Sequence, residues 1–192
     1  MAVSQKILSV EESINAWFLG ARSMFLAMII LVLAWSIGAV TKEMGTADYL
    51  TGILHGAIHP GLVPALTFIL AGIMSFATGT SWGTMAILIP LVVPLAWSLS
   101  AEAGLSAQMI QTIFFASTSS VLAGAIFGDH CSPISDTTVM SSMASACNHV
   151  DHVRTQMPYA ISIAAVSLFA GALPAGFGFS PWISLAISAA AL

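Results

Sequence analysis

Residues 62–99 read LVPALTFILAGIMSFATGTSWGTMAILIPLVVPLAWSL, two apolar arms around a short polar centre, without a single Asp, Glu, Lys or Arg. The arms, 62–77 and 85–99, hold 16 and 15 residues. As helices they would run about 22 to 24 Å at about 1.5 Å per residue, short of the ~30 Å that a full bilayer span needs. Between them lies TGTSWGT, with two glycines, three threonines and a serine. Such backbone at membrane depth is tolerated only where protein or water meets its polar groups. The stretch therefore predicts a re-entrant helical hairpin over 62–99 with TGTSWGT at its tip. Pro90 and Pro94 in the second arm each remove a helix donor and loosen the carbonyl four residues back.

The rest of the chain fits a bilayer. Its 192 residues are 58% hydrophobic and 6% charged, with a mean hydropathy of +0.96, where a soluble domain carries about a quarter charged residues. No charged residue lies between Asp48 and Glu102, between Glu102 and Asp129, or after Arg154. Four basic residues, dispersed along the chain, leave no nucleic-acid footprint. The opening MAVSQKILSVEESINAWFLG lacks the basic tip, apolar stretch and small-residue cleavage site of a signal peptide. Cys131 and Cys147 make no disulfide framework. An all-α integral membrane protein follows, one multi-pass transmembrane domain over 1–192. It has a span at 23–41, a polar connection at 42–61, the hairpin, a broken helix at 108–147, a polar loop NHVDHVRTQ, a span at 157–176 and an incomplete span at 181–192. His55 and His59, in the first connection, read as passive interfacial groups. If the hairpin returns to its own side, Lys6, Arg22 and Arg154 share one face against Lys42, which places the N-terminus in the cytoplasm of a cell, as in a bacterial inner membrane.

The break in 108–147 is set by GDHCSPISDTT, residues 128–138, which gathers two carboxylates, a histidine and four hydroxyls around a proline. Pro133 has no amide hydrogen, frees the carbonyl of Asp129 and disfavours helix at Ser132. Gly128 is placed to end the incoming half, and Ser135 or Asp136 to cap the outgoing one. Carbonyls at one helix end, amides at the next and side-chain oxygens between them suit a small hard cation such as sodium. Asp129 and Asp136 are the candidate charges. A carboxylate ionised and unpaired at membrane depth costs roughly 2.5 to 3.5 kcal/mol on insertion scales, so it takes up a proton or a cation. A group that holds either Na⁺ or H⁺ is the minimum machinery for exchanging them. His130 is a further proton-carrier candidate. The plainer readings are Asp136 as a helix cap, Asp129 in water at the membrane edge, His130 as a structural hydrogen-bond partner, and the hydroxyls of residues 117–120 as helix packing.

Two other constellations compete. Gly79–Gly83, GTSWG, matches G-x-S-x-G, and Ser81 with a distant histidine would make an intramembrane serine hydrolase; nothing here forms the strand-to-helix elbow that gives the motif its meaning. His130, Cys131, Cys147, His149 and His152 fit no trusted zinc spacing. A passive membrane subunit predicts that neither aspartate matters to transport. No enzyme and no resident cofactor is required, only transported Na⁺ and H⁺.

GDHCSPISDTTVMSSMASACNHVDHVRTQMPYA, with SFATGTSWGTMAILIPLVVPLAW before it, resembles the corresponding segments of the NhaC-type sodium/proton antiporter family, within the ion-transporter superfamily, and the likeness extends over about residues 17–175. The resemblance implies a secondary active transporter built from two inverted repeats, each with a re-entrant hairpin and a broken helix meeting at the midplane. It places Ser75, Thr78, Thr80 and Ser81 at the hairpin tip, facing Asp129, Ser132, Ser135, Asp136 and Thr137. Such proteins carry both repeats, whereas this chain has one set of elements and resembles the C-terminal half, with an N-terminal repeat, the lipid bilayer and a second copy in a homodimer as expected partners. Some relatives exchange carboxylates with sodium and protons, and the amides of Thr137 and Thr138 could face such an anion. No arginine lies near the site, so cation exchange is the preferred expectation.

Overall fold

The computed structural model describes residues 3, 5, 7–54 and 56–191; Lys6, His55 and Leu192, named above, lie outside them. Every regular element among the described residues is helical. Among the described residues, four helical stretches, Pro60–Thr78, Ser81–Glu102, Ala107–Cys131 and His149–Gly176, are long and apolar enough to cross a membrane.

Helix α1 (Val10–Glu43) has 34 residues, about 51 Å at about 1.5 Å per residue, and contains the whole 23–41 stretch. Its start is fixed locally. Ser9 accepts the Glu12 amide at 3.2 Å while the Glu12 carboxylate accepts the Ser9 amide at 2.7 Å, a reciprocal capping box that holds the Glu12 carboxyl below its ordinary range. The connection at 42–61 is not all loop: α2 (Thr46–Leu54) occupies its middle and packs on the later helix α4. His59 then caps a 3₁₀ turn at Pro60–Leu62, its Nδ1 accepting the Gly61 amide at 3.0 Å and its ring stacked on Phe177.

The hairpin forms, but with a tighter turn than TGTSWGT suggests. Helix α3 (Val63–Thr78) ends on Gly79 at φ 68°, and α4 (Ser81–Glu102) begins two residues later. Glycine reaches this left-handed geometry without the strain a Cβ would bring. Thr80, extended, caps α4 by accepting the Gly83 amide at 3.3 Å. Ser81 to Thr84 thus form the first turn of α4 rather than part of a loop. The second arm is 22 residues long, about 33 Å, and runs through Pro90 and Pro94. The shortness argument for that arm does not hold.

Helix α5 (Ala107–Cys131), capped by Ser106, packs against both arms. Val63, Ala96, Leu99 and Ile113 form one buried cluster among them, and Ala71, Leu88, Val92 and Val121 another. Outward, large apolar side chains such as Ile73 and Phe115 are exposed, as expected where the surrounding solvent is lipid. In lipid, burial of apolar area gives helices little reason to associate, and close packing of small residues takes over. Gly128 shows this directly. It lies inside α5, three residues before the helix end, and a Cβ there would run into the Gly72 carbonyl and lie 2.7 Å from the Phe76 amide nitrogen. Gly128 is therefore a point of backbone contact between α5 and α3, not the terminus of the incoming half.

After Cys131 the chain leaves helical geometry and resumes as α6 (Asp136–Ala144). The segment NHVDHVRTQ is not a loop. Asn148 accepts the amides of Val150 and Asp151 and starts α7 (His149–Val166), which continues through a π-helical stretch, Ser167–Ala172, into α8 (Leu173–Gly176). Helix α9 (Pro181–Ala191) follows and packs on the π-helical stretch. Helix α7 packs against α5 and α6 and covers the break.

Candidate functional site at the helix break

Pro133 does its expected work one residue downstream of the helix end: Ser132 sits at φ −72°, ψ 127°, the extended geometry required before proline. The Asp129 carbonyl is not left free, however. The Ser132 amide donates to it at 3.1 Å, a tightened last turn. The neighbouring carbonyls are satisfied by side chains. That of His130 accepts Gln156 Nε2 at 2.6 Å and Thr138 Oγ1 at 3.3 Å, and that of Pro133 accepts His149 Nε2 at 2.7 Å.

The hairpin turn is seated on this break. A Cβ on Gly79 would lie 2.9 Å from the Ile134 carbonyl oxygen, so only glycine lets the two irregular segments touch. Ser75 Oγ donates to the Ala125 carbonyl at 2.6 Å and Ser132 Oγ to the Phe76 carbonyl at 2.8 Å, two buried ties between α3 and the α5 end of the break.

At the centre is Asp129, 9% exposed. Ser81 Oγ, in the first turn of α4, donates to Oδ2 at 3.0 Å, and Ser135 Oγ, at the cap of α6, donates to Oδ1 at 2.7 Å. Ser135 has one hydroxyl hydrogen, so with Asp129 ionised its remaining bonds must be accepted: the Thr137 amide at 3.2 Å and, by elimination, the Thr137 hydroxyl at 2.7 Å. The carboxylate is thereby joined to the start of α4 and to the start of α6 through hydroxyls alone. Among the described residues no Lys, Arg or His side chain is hydrogen-bonded to it.

The other sequence candidates lie apart from this centre. Asp136, first residue of α6, is exposed, as is His130. Thr78 is exposed and bonds back to the Met74 carbonyl, and Thr80 serves the α4 cap. Ser81, Asp129, Ser135 and Thr137 come together; Thr78, Thr80, Asp136 and His130 do not join their hydrogen-bond network. Among the described residues no three His, Cys, Asp or Glu side chains converge as metal ligands: His149 binds Pro133 and Ser142, and His152 binds Ser141. The hydroxyl of Ser81 faces a carboxylate rather than a histidine. The Thr137 amide, proposed to receive an anion, is taken by Ser135.

Sequence reading weighed His149 only as a metal ligand and missed Ser142 and Gln156. The signal was present: residues 149, 152 and 156 recur at helical spacing and fall on one face of α7.

Ser135→Ala removes both a donor to a buried carboxylate and the cap of α6. The expected loss of stability is about 2 to 3 kcal/mol, read by denaturant unfolding in mixed micelles, with Ser135→Thr recovering most of it.

A family model described as the Na+/H+ antiporter family matches residues 1–173. An uncharacterized protein of Haemophilus influenzae is 37% identical over 192 residues, 100% of this chain and 35% of that protein. The chain thus spans about a third of the length of this relative. No solved structure matches this chain.

Proposed function

Since the chain belongs to the Na+/H+ antiporter family, and its apolar helices make it a multi-pass membrane protein, we propose that it supplies one repeat of a secondary active transporter exchanging sodium for protons across the cell membrane. Asp129 is the carboxylate that alternately holds the cation and the proton. The observation that carries this is the setting of Asp129: buried, held by two hydroxyls, with no basic partner among the described residues. A buried carboxylate without a basic partner leaves its charge to be balanced by exchanged cargo. The hydroxyl oxygens of Ser81, Ser135 and Thr137 offer hard ligands beside it. Ser132, at the break, and Thr78 and Thr80, at the hairpin turn, are further hydroxyls of the two segments that meet here. Asp136 supplies a second negative charge at the start of α6.

The hairpin is read as re-entrant because its turn, polar and tightly bent, meets the helix break rather than a membrane surface. The remaining two thirds of a protein as long as the Haemophilus influenzae relative would supply the facing repeat, with lipid and a second copy as further neighbours. Na⁺ and H⁺ are cargo, and no resident cofactor enters. Carboxylate exchange is less well supported, because the Thr137 amide is already capped and Arg154 is exposed on α7.

Proteoliposomes of the full-length protein carrying an internal pH dye test the assignment. Addition of external Na⁺ should alkalinise the lumen, because Na⁺ enters as H⁺ leaves, and a dicarboxylate alone should not. A response to the dicarboxylate without Na⁺, or to neither, rejects sodium/proton exchange.

A further inference from the structure

His149 makes contacts that its role in starting α7 does not require. Its Nε2 lies 2.7 Å from the Pro133 carbonyl, which can only accept, so Nε2 carries a hydrogen. Its Nδ1 lies 3.0 Å from Ser142 Oγ, which is itself 2.8 Å from the Val139 carbonyl. Ser142 is buried on α6 and owns one hydroxyl hydrogen. If the ring is neutral, that hydrogen must serve either Nδ1 or the Val139 carbonyl. Serving Nδ1 leaves two oxygens 2.8 Å apart with no hydrogen between them. If the ring carries both hydrogens, Nδ1–H donates to Ser142 Oγ, Ser142 donates to Val139, Nε2–H donates to Pro133, and all three bonds exist together.

We infer that His149 is a proton-dependent positioning residue for the exchange site, latching α7 to the break at Pro133 and to α6 at Ser142 when doubly protonated. On loss of the Nδ1 hydrogen to water, Nε2–H keeps its hold on Pro133 while the Ser142 bonds can no longer all be made. The latch to α6 weakens. Because Ser135 caps α6 and also holds Asp129, the change reaches the carboxylate through about two turns of one short helix. The inference rests on the transport reading only in this last step.

Other titratable groups near the latch have their own places. From α5 these are Asp129, His130 and Cys131; from α6, Asp136; from the intervening turn, Cys147, whose thiol donates to the Ser142 carbonyl at 3.5 Å. On α7 itself are Asp151, His152 and Arg154, and the π-helical stretch carries none. Among the described residues none is hydrogen-bonded to the His149 ring. Gln156 gives an internal control, because it ties the same helix to the His130 carbonyl and does not titrate.

The experiment uses the full-length protein in nanodiscs with ¹⁵N-labelled histidine, between about pH 5 and 9, together with amide hydrogen exchange of α6 corrected for the intrinsic pH dependence. Both ring nitrogens of His149 should be protonated at the acid end. As the ring titrates, protection of the α6 amides should fall about tenfold, the loss of one hydrogen bond. His149→Gln should show no such step, and Gln156→Met should lower protection at every pH while keeping the step. In proteoliposomes, the ratio of apparent sodium affinities of wild type and His149→Gln should change about tenfold across the same titration, which cancels direct competition at Asp129. Nδ1 unprotonated throughout, or an equal step in wild type and His149→Gln, overturns the latch. Should His149→Gln fail to fold, the wild-type ring spectrum still decides. A wild type that shows the step yet moves no sodium against protons rejects the transport reading and leaves the latch standing.

Discussion

Asp129→Asn should abolish sodium-driven proton movement, by at least about 100-fold, while leaving the protein folded and inserted. The size follows from what the side chain must do. An amide can neither release a proton nor balance Na⁺. Retention of the fold follows from the hydroxyls. Ser135 Oγ already accepts two bonds from Thr137, so the amide oxygen of Asn would face Ser135 and accept its hydrogen as Oδ1 does now. The amide nitrogen would face Ser81, whose hydroxyl can rotate to accept. Both contacts survive with donor and acceptor exchanged at one of them, and unfolding should shift by less than about 1 kcal/mol. Asp136→Asn offers the contrast. Asp136 is exposed at a helix N-terminus, where a negative charge contributes about 0.3 to 1 kcal/mol, so its neutralisation should slow exchange less than tenfold. The check is initial rates of lumenal pH change in proteoliposomes at matched protein incorporation. Equal activity of wild type and Asp129→Asn would remove Asp129 from the mechanism.

The sequence discloses local causes well and distant ones poorly. Charge-free runs identify the membrane class because charge is costly in lipid wherever the segment packs. Pro133 discloses the break because its missing amide and its effect on Ser132 are properties of two adjacent residues. Ser135 as a cap is legible for the same reason. What the freed carbonyls would bind was not legible. The donors to His130 and Pro133 come from Gln156 and His149, 26 and 16 residues away, on a helix whose polar first turns disguised it as a loop. The hairpin tip was overestimated because a run of glycine, threonine and serine looks like loop. Thr80 in fact caps α4, and a capped helix can begin with Ser-Trp-Gly-Thr. Asp136 and Asp129 were equivalent in sequence and are not in space: one heads an exposed turn, the other faces two hydroxyls inside the bundle.

Gly128 marks the same limit, since a glycine five residues before a proline looks like a helix terminus and is instead a helix contact. Replacing it should have a large structural effect. A Cβ would collide with the Gly72 carbonyl and approach the Phe76 nitrogen at 2.7 Å and the Ser75 Cβ at 2.8 Å. Two of these three atoms are backbone of α3, so no rotamer change relieves the clash and the helices must separate. Overpacking of this kind costs typically 1 to 3 kcal/mol and occasionally more; with backbone on the opposing side, Gly128→Ala should lie at about 3 kcal/mol and Gly128→Val beyond it. Separation would also stretch the Ser75 to Ala125 and Ser132 to Phe76 bonds, which hold the hairpin turn against the break. Transport should therefore fall with stability in Gly128→Ala, whereas in Asp129→Asn it falls without it. Thermal unfolding in detergent together with flux in liposomes separates the two. A Gly128→Ala protein with wild-type melting would show that α3 and α5 are not in backbone contact at this point, and the seat of Ser81 beside Asp129 would then need another support.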